Sequence, residues 1–310
     1  MRCGIAVIGV LAALTGPAAM VALRGAETFR VATYNLENYL DAPAGDRQAK
    51  PPAARAKVRE SILTMRADVL ALQELGGRGA LRELQAGLRA EGLDYPHSDL
   101  VAGHDTKLHV GVLSRFPIVA SRPHTNENFL LQGRRFQVSR GFVEVDIQVN
   151  ASYTFTLFVA HLKSRRPTLS GDQAEMREQE ALRLREKIDA RLSGNPSANL
   201  LVAGDLNDTK DSATLRTIIG RGKTALIDTR PAERNGDGQP GPTPGLWRRN
   251  VTWTYFYANQ DSYQRVDYLL VSPGMAREWD PAGTYVLSLA DWGVGSDHRP
   301  IVATFVAADR

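Results

Sequence analysis

The chain has 310 residues, 43% of them hydrophobic and 23% charged, with a formal net charge of +4. That is within reach of one large domain with ample core, and the composition excludes a chain too polar to fold. The small positive charge suits an anionic substrate but lacks the concentrated basic face of a dedicated nucleic-acid binder.

The first 23 residues read as a targeting segment. Arg2 supplies a positive start, Ile5 to Leu14 an apolar stretch, and Gly16-Pro17-Ala18-Ala19 a small-residue cleavage zone. The alternative is an uncleaved membrane anchor, because the apolar run continues to Leu23. Gly16 and Pro17 interrupt that run, and it is shorter than the roughly 20 residues of a spanning helix. Cys3, the single cysteine, lies inside this segment. The mature chain is therefore expected to be exported, periplasmic or secreted, without disulfides or thiolate metal sites. Residues 24–310 read as a single catalytic domain without repeats.

Elements follow in order. Phe29 to Thr33 alternates as a strand and ends in Tyr34-Asn35. After an irregular loop, Tyr39 to Pro51, the spacing predicts a helix over Pro52–Met65, closed by the turn at Arg66-Ala67. Asp68 to Leu72 is an apolar strand ending in Gln73-Glu74, and a helix is expected over Gly79–Glu91. Strands are predicted at His109–Leu113, Ile118–Ser121, Gly141–Val149 and Tyr153–Ala160, with His124 to Arg135 as an irregular loop. The Tyr153 strand ends in His161-Leu-Lys163-Ser164. Asp172 to Leu192 is the longest helix, with Asp172 as N-cap and Ala181, Leu184, Ile188 and Leu192 as its apolar stripe. Gly194-Asn195-Pro196 stops it. Asn199 to Ala203 is a short apolar strand that ends in Gly204 and delivers Asp205 and Asn207. Asn235 to Gly245 reads as a loop, Val251 to Tyr257 and Gln264 to Val271 as strands, and Ile301 to Phe305 closes the chain after Gly295-Ser296-Asp297-His298-Arg299-Pro300. Long strands mixed with connecting helices predict an α/β sandwich.

Side chains two apart on an extended backbone point the same way, so Asp205 and Asn207 project together. Alone, that pair reads equally well as an Asx-rich turn. The chain repeats the arrangement, however. Asn35, Glu74, His161, Asp205, Asn207, Asp267, Asp297 and His298 all fall at strand ends or edges and read as one site assembled from many strands.

Seven motifs then occur in order: Tyr34-Asn35-Leu36, Leu72-Gln73-Glu74, Leu113-Ser114-Arg115-Phe116-Pro117-Ile118, His161-Leu162-Lys163-Ser164, Gly204-Asp205-Leu206-Asn207-Asp208, Arg265-Val266-Asp267-Tyr268 and Ser296-Asp297-His298-Arg299-Pro300-Ile301. In this order they resemble the endonuclease/exonuclease/phosphatase superfamily, the deoxyribonuclease I-like fold, over roughly residues 28 to 306. The resemblance implies a four-layer sandwich, two packed mixed β-sheets flanked by helices, with the site at one edge.

Gathering so many carboxylates is costly without a cation. Oxygen ligands point to Mg²⁺, with Mn²⁺ or Ca²⁺ as alternatives, and the lack of Cys argues against Zn²⁺. Glu74 is the first metal ligand expected, with Asn35 and Asp297 beside it; its bland alternative is a salt bridge, with Arg115 as one candidate partner. The resemblance implies that His298 is the base near the scissile phosphate, with Asp267 holding its imidazole; the bland alternative is a histidine capping the turn before Pro300. Asp205 orients or deprotonates the attacking water, and Asn207 donates to a phosphoryl oxygen. Which of Asp205 and His298 takes the proton stays open. His161 faces the phosphate or protonates the leaving oxygen. Lys163 and Ser164 are phosphate contacts, and Arg140 offers a fork of donors, with a surface arginine as its alternative. Some family nucleases carry a tyrosine where Ser139-Arg140-Gly141 stands, which leaves the leaving-group stabiliser open. Of the basic clusters, Arg134-Arg135 and Arg248-Arg249 read as solvated loops, and Lys163 to Arg166 adjoins the chemistry. His97, His104, His109 and His124 read as surface or loop residues, while Trp292, close to Asp297, is a candidate to line the pocket and stack a base or sugar.

The expected function is a metal-dependent phosphoesterase that attacks its substrate directly with water. The chain lacks a G-x-S-x-G elbow, a P-loop and a dinucleotide fingerprint. Phosphodiester cleavage in nucleic acid is preferred, by a monomer without a stable protein partner. The rivals are a lipid-headgroup or inositol-phosphate esterase of sphingomyelinase-like type and a non-catalytic binding module. The first would want an exposed aromatic hairpin, for which Trp253 to Tyr257 is the one hint. The second should have lost Glu74, Asp205 or His298, and all three stand here. Export predicts that N-terminal sequencing of the secreted chain starts at Ala19, Met20 or Leu23; an intact Met1 in the membrane fraction supports the anchor instead.

Overall fold

The computed structural model describes residues 27–233 and 253–309. The targeting segment, the loop over Asn235–Gly245, Arg248-Arg249 and the first residues of the strand expected from Val251 lie outside them.

Parallel strands need a crossover, and helices supply it twice. The first strand, β1 (Thr28–Tyr39), passes through helix α1 (Pro52–Met65) to β2 (Val69–Leu75), and the two strands pair in parallel. Helix α2 (Arg78–Ala90) leads to β3 (His97–Val101) and β4 (His109–Ser114), which are antiparallel. The chain then enters a second sheet through β5 (Ile118–Ser121), a hairpin β6 (Asn128–Leu131) and β7 (Arg134–Gln137), β8 (Phe142–Asn150) and β9 (Tyr153–His161). Helix α3 (Gln173–Gly194) is the second crossover and returns to β10 (Leu200–Asp205), parallel to β9. After α4 (Ala213–Ile219) come β11 (Ile227–Asp228), β12 (Ala232–Glu233), the small pair β13 (Tyr255–Tyr257) and β14 (Ser262–Gln264), then β15 (Asp267–Val271), β16 (Trp279–Val286) and β17 (Ile301–Val306).

Among the described residues one sheet runs β12-β16-β17-β1-β2-β4-β3 and the other β11-β15-β10-β9-β8-β5. Both mix parallel and antiparallel pairs. Three apolar layers result. Phe29, Val31, Phe155, Leu157, Leu201, Ala203 and Phe305 are packed between the sheets. Ala32, Tyr34 and Leu72 face Val58, Ile62 and Leu84 of α1 and α2. Phe158, Val202 and Leu270 face Leu184, Ile188 and Leu215 of α3 and α4. Alternate residues of β1 and β10 serve different layers, which is why β10 reads as a nearly continuous apolar run. The expected four-layer α/β sandwich is the fold observed.

Local signals held where they were strong. α1 has the expected bounds, and its end is closed by Arg66 in the left-handed conformation, donating to Ile62 O at 3.1 Å. Asp172 caps α3 by accepting from Glu175 N at 2.9 Å. Two expectations need correction. His124–Arg135 contains β6 and the start of β7, whose turn at Gln132-Gly133 has two positive φ angles, the geometry of a tight hairpin. Gln264–Val271 is two strands, because Arg265 leaves the ladder to form a paired contact with Asp228 at 2.9 and 2.6 Å. β16 escaped notice because Pro281 and Gly283 break its alternation and shift its register against β17. Among the described residues no helix is long and apolar enough to cross a membrane.

Gly204 is the tightest point of the second sheet. Its φ is +143°, and an added Cβ would overlap the Ala160 carbonyl oxygen of the neighbouring strand. Gly204→Ala is expected to destabilise the fold by roughly 3 kcal/mol through backbone strain and overpacking, read as a lowered Tm in a circular-dichroism melt; an unchanged Tm would contradict this geometry.

Candidate active site

Strand register builds half of the site. Asp205, at the end of β10, is aligned with His161 at the end of β9 and with Asp267 at the start of β15. Three adjacent strands thus set an imidazole and two carboxylates in one row, each buried: His161 and Asp205 are 2% exposed and Asp267 1%. Across the sandwich, β1 carries Asn35 just before its register against β2 shifts, β2 ends near Glu74, and the segment entering β17 carries Asp297 and His298. The row and this second group meet.

Their contacts are direct. Asn35 Nδ2 donates to Asp205 Oδ2 at 3.0 Å, bridging the two sheets. His161 Nε2 is 3.4 Å and His298 Nε2 3.8 Å from that same oxygen. His298 Nδ1 donates to Asp267 Oδ2 at 2.8 Å, so a carboxylate orients the ring and leaves Nε2 facing the pocket. Asn207 has φ +53°; its backbone N–H donates to Asp205 Oδ1 at 2.8 Å and its Nδ2 to Leu162 O at 3.0 Å. Its carboxamide is therefore spent on orienting the loop as well as facing the site.

Glu74 also has a positive φ, +58°, and Asn38 N donates to its Oε2 at 2.9 Å. Its Oε1 is 4.0 Å from His161 Nε2, and Arg47 approaches to 4.0 Å. Arg115 instead pairs with Asp68 at 2.7 Å, so the cation nearest Glu74 is Arg47 and not Arg115. The bend expected at Ser296-Asp297-His298 exists. Ser296 Oγ accepts from His298 N at 3.0 Å and donates to Asn35 O at 2.8 Å, and Asp297 Oδ1 comes within 3.9 Å of His298 Nε2.

Electrostatics follow from this crowding. Burial raises the Asp205 carboxyl to about 7, with His298 opposing the rise and Asp267 adding to it. Burial raises Asp297 to about 6, again opposed by His298 and reinforced by Glu37 and Glu74. Burial disfavours a charged His298, but Asp267, Asp205 and Asp297 outweigh it and hold the imidazolium well above the ordinary value. His161 goes the other way: burial, then Arg140 and His298, keep it neutral. The two histidines therefore differ in charge at neutral pH, one a cation and the other a neutral ring.

On the phosphate side, Arg140 is 5% exposed, so it is not a surface arginine. Its Nη1 donates to Leu162 O at 3.1 Å, while its buried Nε has no hydrogen-bond partner and lies 3.7 Å from Asp105. Lys163 is half-buried, and burial and Arg140 lower its ammonium below the ordinary value. Ser164 follows it, partly exposed. Three supports were missed from sequence. Glu180 on α3 is fully buried and accepts from Ser139 N, Ser139 Oγ and Lys163 N at 2.8, 2.7 and 2.6 Å. Arg177 binds Asp208 at 3.1 Å, and Arg165 Nε donates to Asn207 O at 3.0 Å. The available signal was a charged residue beside the apolar stripe of α3. Trp292 packs edge-on against Trp253 at 5.1 Å, and the ring against His298 is Tyr255, at 4.7 Å. Of the four other histidines, His124 is held by Glu144 at 2.8 Å and His109 Nδ1 lies 3.4 Å from Leu75 O.

The donors fit a hard divalent cation. Carboxylates and an amide face one another with few cations between them, and Asp267 Oδ1 is buried without a partner. Asn35, Glu74 and Asp297 offer one set. Among the described residues, ligand atoms of Asp205, Asp267 and His298 also lie within 4.8 Å of one another, a grouping read from sequence as acid–base machinery instead.

Two facing mixed sheets with polar residues gathered at strand ends from both define a phosphoesterase fold. The chain belongs to the Endonuclease/Exonuclease/phosphatase family, whose sequence model matches residues 32–298. Solved structures share the fold: the human Nocturnin catalytic domain with bound sulfate (18% identity, 91% of this chain and 95% of that one, TM-score 0.61), Sphingomyelinase C from Streptomyces griseocarneus (19%, 90% and 99%, 0.60) and truncated Caenorhabditis elegans TDP2 (16%, 90% and 98%, 0.56). No curated protein matched the chain.

A cation that binds the folded state alone raises its stability. Millimolar Mg²⁺ is expected to raise the Tm of the purified protein by a few degrees, and Glu74→Gln to abolish that rise. A rise retained in Glu74→Gln and lost in Asp267→Asn would move the ion to the second grouping.

Proposed function

We propose that this chain is an exported, divalent-metal-dependent phosphoesterase that hydrolyses phosphodiester bonds in nucleic acid by direct attack of water. The observation that carries this reading is the buried Asp267–His298 pair at 2.8 Å, aimed at a pocket that also holds Asp205, Asn35 and Glu74. A carboxylate–imidazole pair beside a second carboxylate is the equipment for moving a proton from water.

Asp205 is the general base in this reading. Asn35 and the Asn207 backbone anchor it, and its oxygen faces both histidines. His298, held cationic by Asp267, binds a phosphoryl oxygen and gathers the charge that develops there. Neutral His161 donates a hydrogen bond to the phosphate. Arg140, Lys163, Ser164 and Asn207 take the remaining phosphoryl oxygens. Mg²⁺, with Mn²⁺ or Ca²⁺ as alternatives, held by Glu74, Asn35 and Asp297, would supply further charge neutralisation at the phosphate. The protein acts as a monomer outside the cytoplasm.

The test is hydrolysis by the mature chain of duplex DNA, single-stranded DNA, RNA, sphingomyelin and inositol phosphates, with Mg²⁺ and with chelator. Metal-dependent turnover of a nucleic acid is expected, with Asp205→Asn and His298→Ala each lowering kcat by roughly 10³-fold. Preference for sphingomyelin or an inositol phosphate would replace the substrate assignment. A folded protein inert on the whole panel would sink the catalytic reading.

A further inference from the structure

The hairpin β13–β14 takes no part in the chemistry above, yet it is fastened to it. Tyr255 and His298 form a β-bridge, Phe256 N donates to Asp297 O at 3.1 Å, and Arg299 N donates to Thr254 O at 2.6 Å. From the other side Arg165 donates both to Asn207 O and to Gln264 Oε1 of β14. Whatever the hairpin displays is therefore held in a defined position relative to the catalytic groups.

Its two faces differ. Phe256 stacks on Tyr263 at 4.7 Å, and Tyr263 meets Trp253, which in turn meets Trp292 and covers Arg299. Those rings buttress one another. Tyr255 and Tyr257, two apart on the strand, turn to the opposite face. Tyr255 lies against the His298 ring at 4.7 Å, and Tyr257 stands 6.3 Å beyond it with its plane inclined by only 23°. Tyr257 is 37% exposed. A row of ring faces therefore runs outward from the catalytic imidazole. Tyr255 and Tyr257 line it, while Trp253 and Phe256 are engaged in the buttress with Tyr263, which is itself 56% exposed. A surface made to enter lipid would turn its most apolar rings outward, so this one suits a polar, flat ligand.

We propose that Tyr255 and Tyr257 form a stacking rail that receives a nucleobase next to the scissile phosphate. The inference rests on the phosphoesterase reading and adds to it a subsite for the base. Base–aromatic stacking tolerates any base, so the rail selects for the presence of a base and not for its identity.

The test compares kcat/KM of the mature protein with Mg²⁺ on a dinucleoside phosphodiester and on the same sugar–phosphate diester lacking both bases. Wild type is expected to prefer the base-bearing ester. Tyr257→Leu should lower kcat/KM on that ester about tenfold more than on the base-free one, and Tyr257→Phe, which keeps the ring, should stay within about twofold of wild type. Equal losses on both esters, or none, would overturn the rail while leaving the phosphoesterase reading intact. Turnover of neither diester would overturn the rail, and inactivity on every phosphoester in the wider panel would remove the catalytic reading with it.

Discussion

Asp205 Oδ2 is the point at which the two halves of the molecule meet. Asn35 reaches it from the first sheet, His161 comes from the neighbouring strand, and His298 from the segment entering β17. A buried carboxylate so placed is expensive unless its oxygens are occupied and its charge is answered. The fold answers with the Asn35 amide, the Asn207 N–H and the His298 cation. Each of these is fixed in turn: Asn35 by Ser296 through its carbonyl, His298 by Asp267, Asn207 by Leu162 and Arg165.

The rest of the structure reads as support for that arrangement. Gly204 lets β10 approach β9 closely enough to bring Asp205 level with His161. α3 does two jobs at once. Its apolar stripe covers the second sheet, and its buried Glu180 collects Ser139 and the Lys163 amide, which sets the entry to the phosphate side. Glu180 is itself shifted upward by burial, with Ser139 as the first restraint on that shift. Polar residues on the hydrophobic side of a helix are costly, and here they occur where loops carrying functional groups need an anchor.

The opposite treatment of the two histidines has a simple source. Both are buried, and burial alone lowers both. His298 faces three carboxylates, which reverse the sign. For His161 burial is the largest effect and Arg140 and His298 add to it, which outweighs Asp205 at 3.4 Å and Glu74 at 4.0 Å. One residue type therefore supplies a cation and a neutral donor around one carboxylate, through neighbours of which Asp267 and Asp205 lie far from His298 in the chain and Asp297 is adjacent to it.

Much of this was legible in the residues. Alternating strands that end in Asn35 and His161 and continuous apolar runs that end in Glu74 and Asp205 were both readable, and the continuous runs mark strands buried on both faces, whose terminal polar residues gather at a shared edge. Pro52, Asp172 and the 3.6-residue stripe likewise determined their helices locally. Tertiary structure alone decided the pairings. It paired Arg115 with Asp68 and brought Arg47 to Glu74, buried Arg140, turned Trp292 into a buttress and set Tyr255 against His298, because those contacts join segments that no local spacing relates. It also split Gln264–Val271, since the pull of Asp228 on Arg265 comes from another strand. Backbone propensity and side-chain alternation are properties of short segments, whereas the charge state and partner of a buried side chain depend on which strands the register brings alongside it.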